Sequence, residues 1–282
     1  MSTVSPERPL LQQSLAILAG LLLGAGGLFF GFALATLTVV LVIVTTGSSV
    51  SNLAFVVINL TFIQGVGCIG VALAYYKFRP AIAPRVRSVL DLDGAGRPLV
   101  IPASIPDGRD ILTIVVGYGG AFTVAIAGSV LLAVAQSVGG SSIETGTNQA
   151  AEIGQQSPEV LLLLIPASIL LIGPGEELLF RGVVQGRIRE MFSPVPGILI
   201  PSALFGGLHW FALSGGSLTG NLFVLGLLTA VGTVLGVTYE VTDNIVVPSA
   251  IHGFYNATLF SLLYVAIAYG DEFSEGTAVL GL

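Results

Sequence analysis

Long uninterrupted apolar runs, separated by short polar stretches, dominate the chain, and their lengths predict membrane-crossing helices. Residues 10–46 hold no charge at all, more than the roughly 20 residues one crossing needs. They read as one tilted helix centred on 30–44 with a glycine-rich lead-in. Ala33-Leu34-Ala35 has the small-x-small form of a signal cleavage site, but the apolar run continues past it, so a retained helix is expected. A second crossing is expected over 53–76, followed by a polar stretch, 77–110, too rich in Arg, Asp and Pro to cross. Further crossings are expected over 111–136, from 158 onward, and over 196–213, 218–239 and 245–269. The stretch 139–159 reads as a Gly, Ser, Thr and Gln loop, and Gly173-Pro174-Gly175 as an interruption in the fourth crossing. The expected fold is an all-α integral membrane bundle of about seven helices, six to eight, enclosing a polar cavity. Domains are expected at 1–110, a two-helix unit with its polar loop, and 111–282, the core.

Composition agrees with this pattern. Of 282 residues, 54% are hydrophobic and 9% charged, against about 25% charged in a soluble domain. Helices suit such runs because they satisfy their backbone hydrogen bonds within the segment, whereas a membrane barrel would show alternating segments of about ten residues. The net charge of −6 argues against nucleic acid as a partner. Cys68 is the only cysteine, which removes a disulfide framework and a cysteine-based zinc site.

Charge distribution sets an orientation. With the N-terminus in the cytoplasm, Arg8, Lys77, Arg79, Arg85, Arg87, Arg97, Arg109, Arg187 and Arg189 all fall inside. Glu144, Glu152, Glu159, Asp271, Glu272 and Glu275 fall outside with the C-terminus.

A few polar residues interrupt the apolar helices. Ionisable groups are costly there and usually face a protein interior or a water-filled cavity. Glu176, Glu177 and Arg181 lie on the fourth expected helix, His209 on the fifth, and His252 and Asn256 on the seventh. Counted at about 1.5 Å per residue, Glu176 is roughly 20 Å from Arg189 and His209 about 21 Å from Val195. On the same scale His252 and Asn256 are about 12 and 18 Å from Asn244, so the three helices present polar groups at a similar depth. Glu177 and Arg181 are four apart and can pair, while Glu176 points about 100° away. Gly206, Gly207 and Gly253 allow close helix approach, and Gly20, Gly24, Gly26 and Gly27 read as packing positions.

Such a set suits hydrolysis. A carboxylate withdrawn from bulk water serves as a base toward water. His209 could help hold that water, and His252 with Asn256 could donate to an oxyanion. Glu176, His209 and His252 could also form a three-ligand site for zinc or another divalent metal, although no H-E-x-x-H occurs.

Three segments together resemble the CPBP membrane proteins, a family that includes type II CAAX prenyl endopeptidases and bacteriocin-processing or immunity proteins. Glu176-Glu177-Leu178-Leu179-Phe180-Arg181 fits E-E-x-x-x-R, Phe205 to His209 fits F-x-x-x-H, and His252 to Asn256 fits H-x-x-x-N. The resemblance covers residues 158–269. It implies Glu176 as general base, His209 as its helper on water, and His252 and Asn256 as the oxyanion hole. Glu177, Arg181 and Phe205 would support them. Both metal-dependent and metal-free chemistry are argued for such proteins. The expected partners are the bilayer and a membrane-associated peptide or lipidated protein, prenylated CAAX proteins being substrates of one branch. Two other functions compete on sequence alone: a scaffold or immunity-type protein that keeps the motifs for folding, and a proton or ion transporter.

Overall fold

The computed structural model describes residues 9–90, 92, 98–140 and 142–279, with side chains as far as residue 270. Arg8 and Arg97 lie outside the described residues, as do the side chains of Asp271, Glu272 and Glu275.

Among the described residues, seven helices are long and apolar enough to cross a membrane. They are α1 (Pro9–Thr46), α2 (Asn52–Val89), α3 (Gly108–Gly139), α5 (Pro158–Arg189), α6 (Pro194–Ala212), α7 (Leu218–Thr242) and α8 (Val246–Val279), with a short α4 (Gln149–Gln156) between α3 and α5. The only strands among the described residues are two-residue segments, β1 (Thr147–Asn148) and β2 (Leu213–Ser214), paired antiparallel. The protein is an all-α integral membrane bundle.

The two ends of the bundle differ. At one end Arg79 and Arg187 both bond to Glu190, Arg189 bonds to Glu240, and Asn244 bonds to Asp110 and to the backbone of Ser104. At the other, Asn52 bonds to Ser157, Ser214 to Glu152, and the backbone of Glu144 accepts from Ser217. Arg181 apart, every base among the described residues lies toward the first end, while Glu144, Glu152 and Glu159 lie at the second. These are the basic and acidic ends below.

Several expectations need correction. The apolar run at the N-terminus is helical throughout, and its lead-in is a packing face. A Cβ at Gly20 would touch Val184 and Ile188, and one at Gly24 would touch Phe180. At Gly27 it would lie 2.7 Å from the Gly67 carbonyl oxygen, so α1 and α2 cross backbone to backbone. Gly26 has open space instead. Residues 77–89 continue α2 as helix through Pro80 and Pro84, where a polar loop was expected. Tertiary contacts outweigh local propensity here, since buried Arg79 ties the extension to the end of α5. The loop at 139–159 contains α4 and β1, held by their contacts with α5 and β2. Gly173-Pro174-Gly175 does not break α5. Wide, π-type turns at Ser168–Ile172 and Leu178–Gln185 flank it, and the loosened ladder accommodates a proline that lacks an N–H.

Candidate active site

The site begins where α5 meets α8. A Cβ at Gly173 would sit 2.8 Å from both the Gly253 nitrogen and the Ser249 oxygen, and one at Gly253 would sit 2.9 Å from the Ser168 oxygen. Glycine at both positions lets the helix backbones touch, which brings the Glu176–Glu177 pair beside His252.

Glu177 and Arg181, both wholly buried, form an ion pair in which Arg181 Nε donates to Glu177 Oε2 at 2.9 Å. The other oxygen, Oε1, accepts from His252 Nδ1 at 2.9 Å. That bond fixes the proton on Nδ1 and turns His252 Nε2 toward Glu176 Oε2, 3.9 Å away. Glu176 Oε1 in turn accepts from Gln64 Nε2, on α2, at 2.8 Å. The adjacent carboxylates therefore differ. Glu177 is committed to an arginine and a histidine, whereas Glu176 has a neutral amide on one oxygen and an imidazole beyond hydrogen-bond reach of the other.

Phe205 joins the fifth helix of the expected set to this cluster. Its ring lies under the Arg181 guanidinium, 5.1 Å from ring centre to Cζ. It meets His209 and His252 edge to face, with centroids 4.6 and 5.8 Å away. Gly232 on α7 leaves room for this stack, because a Cβ there would come within 3.1 Å of the Phe205 ring and 3.5 Å of Arg181 Nη2. His209 lies where α6 tightens into a final 3-10 turn. Its Nδ1 is 2.7 Å from the Phe205 carbonyl oxygen. A carbonyl only accepts, so Nδ1 carries a proton and Nε2 is the ring nitrogen left free to face the site. Asn256, one turn beyond His252, is half-buried and makes no hydrogen bond among the described residues.

The helices thus gather Glu176, Glu177, Arg181, Phe205 and His252 through direct contacts, with His209 joined through Phe205. Asn256 shares the helix face of His252 by its spacing. Tyr255 stacks on Phe122 of α3, and Trp210 is exposed. Gln64 was missed by sequence reasoning. An amide at mid-run in an apolar helix was the available signal, under the same rule that singled out the histidines.

Glu176, His209 and His252, the residues expected to hold a divalent metal if one is used, do not stand together as one donor group here. Among the described residues, no group of three or more His, Cys, Asp or Glu side chains is disposed to hold a metal ion. The Nδ1 atoms of both histidines are engaged by the Phe205 carbonyl and by Glu177, which leaves the Nε2 atoms as the open ring nitrogens.

By fold and site, the chain is a helical membrane protein with a charged, histidine-containing centre buried among its spans. Residues 158–258 match the family model described as type II CAAX prenyl endopeptidase Rce1-like. The matched residues contain all three motifs, Glu176 to Arg181, Phe205 to His209 and His252 to Asn256. The chain is also similar to the uncharacterised protein YpbD of Bacillus subtilis (strain 168), 34% identical over 107 residues. That similarity covers 38% of this chain and 47% of YpbD, so it spans about half the length of the relative. No solved structure matches significantly.

Proposed function

We propose that the chain is an intramembrane endopeptidase that hydrolyses a peptide bond in a membrane-associated substrate of the prenylated CAAX type. The observation that carries this reading is the inequality of the two glutamates: Glu177 is charge-paired by Arg181 and bonded to His252, while Glu176 keeps an oxygen for chemistry.

In this mechanism Glu176 removes a proton from a water molecule as the oxygen attacks the carbonyl carbon. His209 orients the water through Nε2, the ring nitrogen that its bond to Phe205 leaves free. The oxyanion that forms accepts hydrogen bonds from the Asn256 amide and from His252 Nε2–H. His252 serves here as an imidazolium that carries both ring protons before the water attacks, and Glu177, which accepts Nδ1–H, offsets the charge. Two carboxylates, one guanidinium and one imidazolium give a cluster with no net charge, which suits a site inside a membrane. Glu176 finally delivers the proton to the departing amine as the C–N bond breaks, releasing a carboxylic acid and an amine, which exchange the remaining proton and leave as carboxylate and ammonium. In this reading the carboxylate, imidazole and amide groups of the chain itself carry the chemistry. The basic end faces the cytoplasm by the positive-inside rule, and substrate is met from that side.

The test is cleavage of a prenylated CAAX peptide by the purified chain in liposomes, with and without chelator. Wild-type activity should survive chelation and vanish in Glu176→Ala. Cleavage that Glu176→Ala leaves intact would sink the mechanism. Chelator-sensitive cleavage would replace the metal-free route with a metal-dependent one.

A further inference from the structure

We infer that Gln64 is a positioning residue of this centre, holding Glu176 through its side-chain amide so that Oε2 is the oxygen that works on water. The inference rests on the reading of Glu176 as the base.

The bond itself is unambiguous in direction. A carboxylate oxygen only accepts, so the amide nitrogen must face Glu176 Oε1, 2.8 Å away. A glutamine amide has a donor end and an acceptor end. This one aims its donor at a carboxylate and keeps its own Oε1 buried with no hydrogen-bond partner among the described residues. An orphan acceptor beside a general base is what a water molecule needs for its second proton.

The surrounding backbone is built to deliver that side chain. Residues Leu60–Gly70 form a wide π-type segment, a departure found often where a helix must re-aim a functional group. α2 is pressed against α5 at this level, since a Cβ at Gly175 would lie 3.3 Å from the Gln64 carbonyl oxygen. On its other side, Gly27 and Gly31 of α1 meet Gly67 and Phe62 at backbone distance, so α2 is fixed from both directions. Gln64 lies outside residues 158–258, and no motif of the matched segment includes it.

The experiment compares wild type, Gln64→Leu, Glu176→Gln, Glu176→Ala and the control Asn59→Leu, whose amide bonds only to its own helix at Phe55. Each full-length protein is assayed in liposomes with the prenylated peptide. Gln64→Leu should lower kcat on the order of 10–100-fold, the rate equivalent of a hydrogen bond to a charged group. KM should stay within about twofold, a split that a merely structural loss would not give. Gln64→Leu should add nothing to Glu176→Gln, and Asn59→Leu should match wild type.

Infrared difference spectra provide an arm that needs no turnover. The carboxylate band lost in Glu176→Gln should shift when Gln64 is Leu. An unshifted band, wild-type kcat in Gln64→Leu, or an equal loss in Asn59→Leu overturns the role. If Glu176→Ala is dead and Gln64→Leu is normal, only this inference fails. If Glu176→Ala cleaves normally, the reading of Glu176 as the base fails with it.

Discussion

Replacing Arg181 with Met isolates the charge that holds the site together. The side chain is wholly buried and its partner Glu177 is equally so, with 2.9 Å between Nε and Oε2. With charge centres about 4 Å apart and an effective dielectric near 20, their attraction is about 4 kcal/mol. Removing one member of a buried pair typically costs about 3–5 kcal/mol, because the remaining charge is stranded. His252 stays bonded to Glu177 and offsets part of the loss, so Arg181→Met should fall near the lower limit, about 3 kcal/mol or roughly 150-fold in the folding equilibrium. Adding Glu177→Gln removes the stranded charge, so the double variant should recover more than half of that deficit. Reversible unfolding in mixed detergent micelles measures all four corners of the cycle. A loss below 1 kcal/mol for Arg181→Met, or strict additivity in the double variant, would show that the pair is not the electrostatic keystone described above.

Other expectations follow from the same contacts. Gly173→Ala should separate α5 from α8 and abolish cleavage while leaving secondary structure by circular dichroism intact, because the added Cβ meets backbone rather than a movable side chain. Phe205→Ala should destabilise by about 3–5 kcal/mol and lower activity further, since both histidines lose their shared ring; a variant with normal kcat would contradict this. Arg189→Ala should change stability by less than about 1 kcal/mol, because the Arg189–Glu240 pair is partly exposed at 28% for each side chain. That difference from Arg181→Met is readable in one set of unfolding curves.

The fold was largely legible because hydropathy reports burial in lipid directly, and the uncharged runs admit few other structures. The misread stretches are those where hydropathy carries little information. Residues 77–89 and 149–156 are polar or short, and contacts such as Arg79 with Glu190 hold them helical. The i,i+4 rule identified the Glu177–Arg181 pair because both residues share one helix. It could not reveal that His252 bonds to Glu177, since that contact depends on the Gly173–Gly253 crossing. Gln64 escaped for a related reason: its amide in an apolar run is a signal, but what it serves depends on Glu176, its partner across the bundle.

The crossing of α1 and α2 has a further consequence. Cys68 and Ala72 of α2 pack in one cluster with Leu179, Phe180, Val183 and Phe205, and Leu23 and Leu28 of α1 border it. The stretch that family comparison detects, 158–258, therefore lacks one wall of its own interior. Expressed alone, it would turn Leu179 and Glu176 outward to lipid. What is inherited as a recognisable module and what folds as one are different lengths of this chain, and a minimal active fragment must be cut to the longer.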